Sequence, residues 1–187
     1  MSEMVLAPGE DRSVALALVN SYSIRPGANP DAIPDTEALQ KWLITHGLNI
    51  DGRAVIESDV EAAHVLRDQI RALFVALESS TPPAPIALQI LNSFSTASPG
   101  APVLEIEDAR LASSWRSTLE GPSIALSAIA RDAITIAVSS TAERLHTCKA
   151  GDCIRMFLPD RASRRWCSAA CGDRVRAARH YARSRNQ

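Results

Sequence analysis

The sequence predicts an α+β fold: a mainly helical N-terminal part with one small β-hairpin, followed by a small C-terminal module held together by a metal. Three observations predict it. Apolar residues recur at three- and four-residue intervals in several segments, the spacing of a buried helix face. One segment, residues 103–117, instead shows two short runs on either side of Asp108 and Ala109, the pattern of a hairpin. All four cysteines, Cys148, Cys153, Cys167 and Cys171, crowd together near the C-terminus, and none occurs in the first 147 residues.

A chain of 187 residues suits one medium domain plus a small module that buries little core of its own. The charge divides the same way. The net charge is −1, yet residues 144–187 hold eleven Lys or Arg against three acids, a balance of +8, and residues 1–143 carry −9. We therefore divide the chain into an acidic body, 1–143, and a basic module, 144–187. Such asymmetry points to a polyanion-binding tail on an acidic body, or to a tail docked on that body.

In chain order, "RSVALALVNSY" is apolar for six residues and favours a helix over a buried strand, although periodicity alone does not separate the two. Residues 23–35, rich in Pro, Gly and Asn, read as an irregular loop. Asp35 or Thr36 then caps a helix with an apolar face of Leu39, Trp42 and Leu43, stopped by Gly47. A longer helix is expected from Ser58, where Ser58 and Glu61 have capping-box spacing, through Ala63, Leu66, Ile70, Leu73 and Leu77 to about Ser79. "IALQILNSF" suggests a short helix ended by "SPGAP", and the hairpin follows. No Gly or Pro interrupts residues 123–146, and Ile134, Val138, Ala142 and Leu145 fall at helical spacing, so one long helix is expected to reach the first cysteine.

The cysteines form C-x4-C, thirteen intervening residues, then C-x3-C. Tetrahedral Zn²⁺ takes four thiolates in two short-loop pairs, with a longer segment returning the second pair to the first. "IRMFLPDRASRRW" divides into an apolar half, a turn at Pro159 and Asp160, and a returning half, which predicts a hairpin. A knuckle, a hairpin and a helix whose first turn carries the last ligands make a treble-clef-like zinc finger. With Cys148, Cys153, Cys167 and Cys171 all bound, one structural Zn²⁺ per chain leaves no open position for water. Two disulfides, free thiols, or His146 in place of one cysteine are the competing readings.

On the C-terminal helix, Val175, Ala178 and Ala182 share a face suited to packing, and Arg176, Arg179, His180 and Arg183 share the opposite one. Arg174 falls nearer the packed side. With Arg164 and Arg165, these basic residues are the candidate nucleic-acid contacts, through bidentate arginine geometry. Duplex DNA is the expected partner, ahead of RNA, because Trp166 and Tyr181 are too few for a stacking platform. A solvated basic face is the plain alternative.

The N-terminus lacks a secretory signal and no run of about 20 apolar residues exists to span a bilayer, so a cytoplasmic protein without a membrane partner is expected. No paired-carboxylate motif, Gly-rich phosphate loop or HExxH appears, which argues against an enzyme. His46 and His64 lie in helical patterns where helix-face roles are the commoner ones. Asn20, Trp42, Arg67 and Arg71 are candidates to line a ligand pocket, with capping, core and solvated-charge roles as their alternatives.

Taken together, "RLHTCKAGDC", "RRWCSAACGDR" and the basic run after them resemble the CGNR zinc-finger proteins, whose N-terminal part is the ABATE domain. "LALVNSY" is similar to that family's opening motif, "WLITHGL" to its W-L-x-x-x-G-L segment, and "LNSF" to a later helix. The resemblance implies a stress-induced bacterial transcription regulator with an N-terminal α/β domain for a small-molecule effector and a DNA-binding zinc module. Two departures stand out. The name-giving Asn is Asp173 here, and the last cysteine pair is C-x3-C where C-x4-C is more usual. A protein–protein adaptor or an RNA-binding protein is the alternative function.

Overall fold

Ser13 opens the first helix, α1 (Val14–Asn20): its hydroxyl accepts from the Leu16 N–H at 3.0 Å and donates to Asp132 at 2.7 Å. Asp132 also accepts the Ala15 N–H, so a carboxylate sits at the positive end of the helix dipole. The computed structural model describes residues 5–24, 30–48, 50 and 52–185. Part of the loop expected at residues 23–35 lies outside the described residues.

Helix α2 (Thr36–Thr45) is capped by Asp35, which accepts from the Ala38 N–H at 2.8 Å, and ends at Gly47, whose φ of +68° suits glycine. Helix α3 (Glu57–Glu78) buries Ala63, Leu66, Ile70 and Leu73 as the spacing predicts. Its start differs. Ser58 is not the cap; Ile56 is, and its N–H donates to Asp59 at 2.9 Å while Arg53 grips the same carboxylate with two 2.6 Å bonds. The expected Ser58 and Glu61 spacing is real, but Asp59, held by Arg53, takes the Ile56 N–H and moves the cap two residues earlier.

Helix α4 (Pro85–Thr96) precedes a two-stranded sheet, β1 (Gly100–Glu107) against β2 (Arg110–Ser117). The turn is at Asp108 and Ala109, at φ of 48° and 60°, and the register pairs Ile106 with Leu111 and Leu104 with Ser113. Helix α5 (Pro122–Val138) is shorter than expected. Leu126, Ile129, Ala130, Ala133 and Ile136 are its buried face, and Val138 is 83% exposed. At Ser139 the backbone turns extended, its N–H and hydroxyl both directed to the Ile136 carbonyl. A single 3-10 turn (Ala142–Arg144) then carries Leu145 into the core. The long helix is broken by burial of Leu145, a tertiary effect that no Gly or Pro announces.

Helices α1, α3, α4 and α5 pack around one apolar core that includes Leu16, Leu18, Ile70, Phe74, Leu91 and Ile129. Leu145, Met156 and Leu158 belong to that same core, so it is continuous across position 144. The fold is α+β: six α-helices and two small antiparallel sheets among the described residues. Among the described residues no helix is long and apolar enough to cross a membrane.

Candidate metal centre and its basic helix

Strands β3 (His146–Thr147) and β4 (Met156–Phe157) pair antiparallel across the first two cysteines. The expected hairpin turning at Pro159 and Asp160 does not form. Its apolar half pairs backwards with β3, because Met156 and Phe157 are drawn to buried positions, and the returning half is irregular, held by one Lys149 N–H to Arg165 carbonyl bond at 3.0 Å. Helix α6 (Ala169–Arg185) begins two residues after Cys167, so the C-x3-C spacing puts Cys171 in its first turn.

The four sulfurs all lie within 4.8 Å of one another. A tetrahedron of Zn–S bonds of about 2.3 Å sets its sulfurs about 3.8 Å apart, and Cys153 to Cys167 and Cys167 to Cys171 are each 3.7 Å. The residues fit one zinc ion. Hydrogen bonds from Cys153 and Cys167 push the Cys148 thiol down, while the bond to Cys148 pushes the Cys153 thiol up to about 11 and Cys167 also upward. Cys153 and Cys167 therefore hold protons that a bound metal would release. Backbone N–H of Cys167 points to the Cys148 sulfur at 3.4 Å, and the Arg174 guanidinium lies 3.8 Å from that of Cys171.

Three helix side chains, Asn20, Arg71 and Glu78, help to hold this module. Asn20 donates to the Met156 carbonyl at 2.7 Å and accepts its N–H at 2.8 Å, as a neighbouring strand would. Arg71 spans the Ile154 and Val19 carbonyls at 2.7 and 2.6 Å. Burial, with Arg67 nearby, lowers the pKa of Arg71. Glu78 accepts the Thr147 N–H and hydroxyl and pairs with Lys149 at 3.1 Å. These are long-range contacts between residues that carry no local motif. Sequence reasoning named Asn20 and Arg71 for another purpose and missed Glu78, Glu10 and Arg155.

Of the four candidate ligand residues, Asn20 and Trp42 line a cavity of about 950 Å³ between α1 and α2. Arg67 is spent on Asp31, with two 2.7 Å bonds, and on Ser21, and Arg71 on the carbonyls above. Neither lines that cavity.

The basic residues divide. Arg164 donates to the Trp166 and Cys167 carbonyls and Arg174 to Asp152 at 2.7 Å, so both lie against the zinc module. Arg176 lies over the Trp166 ring and pairs with Asp173 at 2.6 Å. Arg165, Arg179, His180 and Arg183 are exposed and have no ion pair among the described residues. Of the face expected to pack, only Val175 does; Ala178 and Ala182 are exposed, because α6 runs past the edge of the module.

Two family models match the chain. One, described as "ABATE: Putative stress-induced transcription regulator", covers residues 12–140, and the other, "CGNR zinc finger", covers residues 144–184. No curated protein matches it.

Proposed function

We propose, from the premise that this chain belongs to the ABATE family of stress-induced transcription regulators and carries a CGNR zinc finger, that α6 is a DNA-binding helix and that the N-terminal part senses a small molecule or mediates assembly. One observation carries the DNA reading. From residue 176 to 185 every side chain of α6 is exposed, and Arg176, Arg179, Arg183 and Arg185 are among them. That is about 15 Å of exposed helix, with Arg176 over the Trp166 ring at its start, and an isolated stretch of this length is marginal in water. A major groove about 12 Å wide accepts such a helix, and phosphates on either side accept its arginines. Zinc fixes the helix start and so its direction. On this reading the chain is not an enzyme, since four cysteines fill every position on the metal.

The test is fluorescence anisotropy with labelled duplex DNA across a salt series. If about 4–6 phosphates are neutralised, log K falls with log[salt] at a slope of roughly −3.6 to −5.4. Changing Arg176, Arg179 and Arg183 together to Ala should reduce that slope by about 2.7; unchanged binding would sink the proposed face.

A second reading, a protein–protein adaptor, draws on the β1–β2 sheet. Leu104, Ile106 and Leu111 share one face and are 75–79% exposed. Retained metal with no salt-dependent binding to DNA or RNA would favour it.

A further inference from the structure

We infer that the cavity between α1 and α2 is a binding site for a small aromatic carboxylate. The inference rests on the ligand-sensing half of the reading above and names its site and ligand class. At about 950 Å³ the cavity is large enough for such a molecule. Val14, Ala17, Pro34, Ala38 and Trp42 give it an apolar lining. Trp42 and His46 stack at 3.9 Å with an interplanar angle of 26°, so the lining holds a stacked aromatic pair on whose outer face a further planar ring can lie.

The polar groups decide the ligand's charge. Among the described residues the acids on the lining are already answered: Glu10 by Arg155, Asp31 by Arg67 and Asp11 by Arg12. Lys41 is the remaining charge, and its ammonium has no ion-pair or hydrogen-bond partner there. The Trp42 indole N–H is a second donor without a partner among the described residues, in a residue only 9% exposed. His46 commits Nδ1–H to the Trp42 carbonyl at 2.8 Å, which leaves Nε2 as an acceptor. A neutral apolar molecule would gain nothing from the Lys41 ammonium, and a cation would be repelled by it. A planar ring on the stacked pair with a carboxylate at Lys41 satisfies both features. The inner wall of the cavity, Glu10 and Asn20, is also what holds Arg155 and Met156 of the zinc module.

The experiment is equilibrium dialysis of zinc-loaded full-length protein against three probes of one shape: 2-naphthoate, 2-naphthamide and 2-naphthylmethylammonium. The naphthoate is expected to bind one per chain and at least tenfold more tightly than either analogue. Lys41→Gln, at an exposed position that leaves the fold intact, should erase that preference. A cavity that takes the amide or the amine equally well, or a preference that survives Lys41→Gln, overturns the ligand class while leaving ligand sensing standing. Binding of none of the three overturns the site. No DNA is present, so failure of α6 to bind DNA does not bear on the result.

Discussion

Glu10 and Arg155 form a buried ion pair across 145 residues of chain, with guanidinium to carboxylate distances of 2.7 and 2.8 Å and side chains 3% and 4% exposed. The same carboxylate accepts from the Ala7 N–H and from Asn20, and Arg155 also donates to the Val5 carbonyl. The segment before α1, the last turn of α1 and the strand after the second cysteine thus meet at one point. Because the cysteine knuckle is built from the residues next to Arg155, whose carbonyl accepts the Cys148 N–H at 2.9 Å, the zinc module is fixed to the body at its metal end.

Removing one partner of such a pair leaves the other charge buried and alone, which costs about 3–5 kcal/mol, while removing both costs much less. Glu10→Gln should therefore destabilise the zinc-loaded protein strongly in urea at pH 7, and Glu10→Gln with Arg155→Met should recover most of the loss. Equal costs for the single and double variants would mean that the pair is not the joint described here.

Asp59 is held below the ordinary aspartate value of 3.8 by its bonds to Arg53, against the opposing effect of burial, with the Ile56 N–H adding to the lowering. A depressed folded-state value stabilises fully above the ordinary value and is lost as pH falls through the depressed one. Arg53 is half exposed, so Asp59→Asn should cost only about 1–2 kcal/mol. Denaturation curves should show that difference level from pH 7 to 5, narrowing only below about pH 4.

Asp173 ties up Arg176 at 2.6 Å on the exposed side of α6. Asp173→Asn removes a negative charge from the proposed DNA face and releases that arginine. Anisotropy titrations should show tighter duplex binding, by about three- to tenfold, and a salt slope steeper by about one. A weaker complex would place the contact surface elsewhere.

Leu104, Ile106 and Leu111 contact little within the chain, so changing all three to Thr should shift stability by no more than about 0.5 kcal/mol per site. If the apolar face is an assembly surface, sedimentation velocity should show a smaller species for the variant than for the parent chain.

What the sequence discloses follows the range of the forces involved. The Asp35 cap, the Gly47 stop, the Leu39, Trp42 and Leu43 face and the four cysteines are local signals, and all appear where their spacing puts them. The turn at Asp108 and Ala109 was also legible. Misread elements failed where distant residues decide. Arg53 moved the start of α3, burial of Leu145 ended α5 early, and β3 took the strand that was expected to pair within residues 154–166. The roles of Asn20, Arg67 and Arg71 depend on partners 36 to 136 residues away, beyond the reach of any pattern in the chain. The Trp42 and His46 pair, four apart on one helix, was a signal that could have located the cavity from sequence.

The central claim is that zinc orients α6 for DNA. Its most direct test is one anisotropy titration of duplex DNA with the zinc-loaded protein, repeated after chelation and again after zinc is restored. The account predicts salt-sensitive binding that is lost with one equivalent of metal per chain and returns with it. Binding of equal strength in the metal-free protein would contradict it.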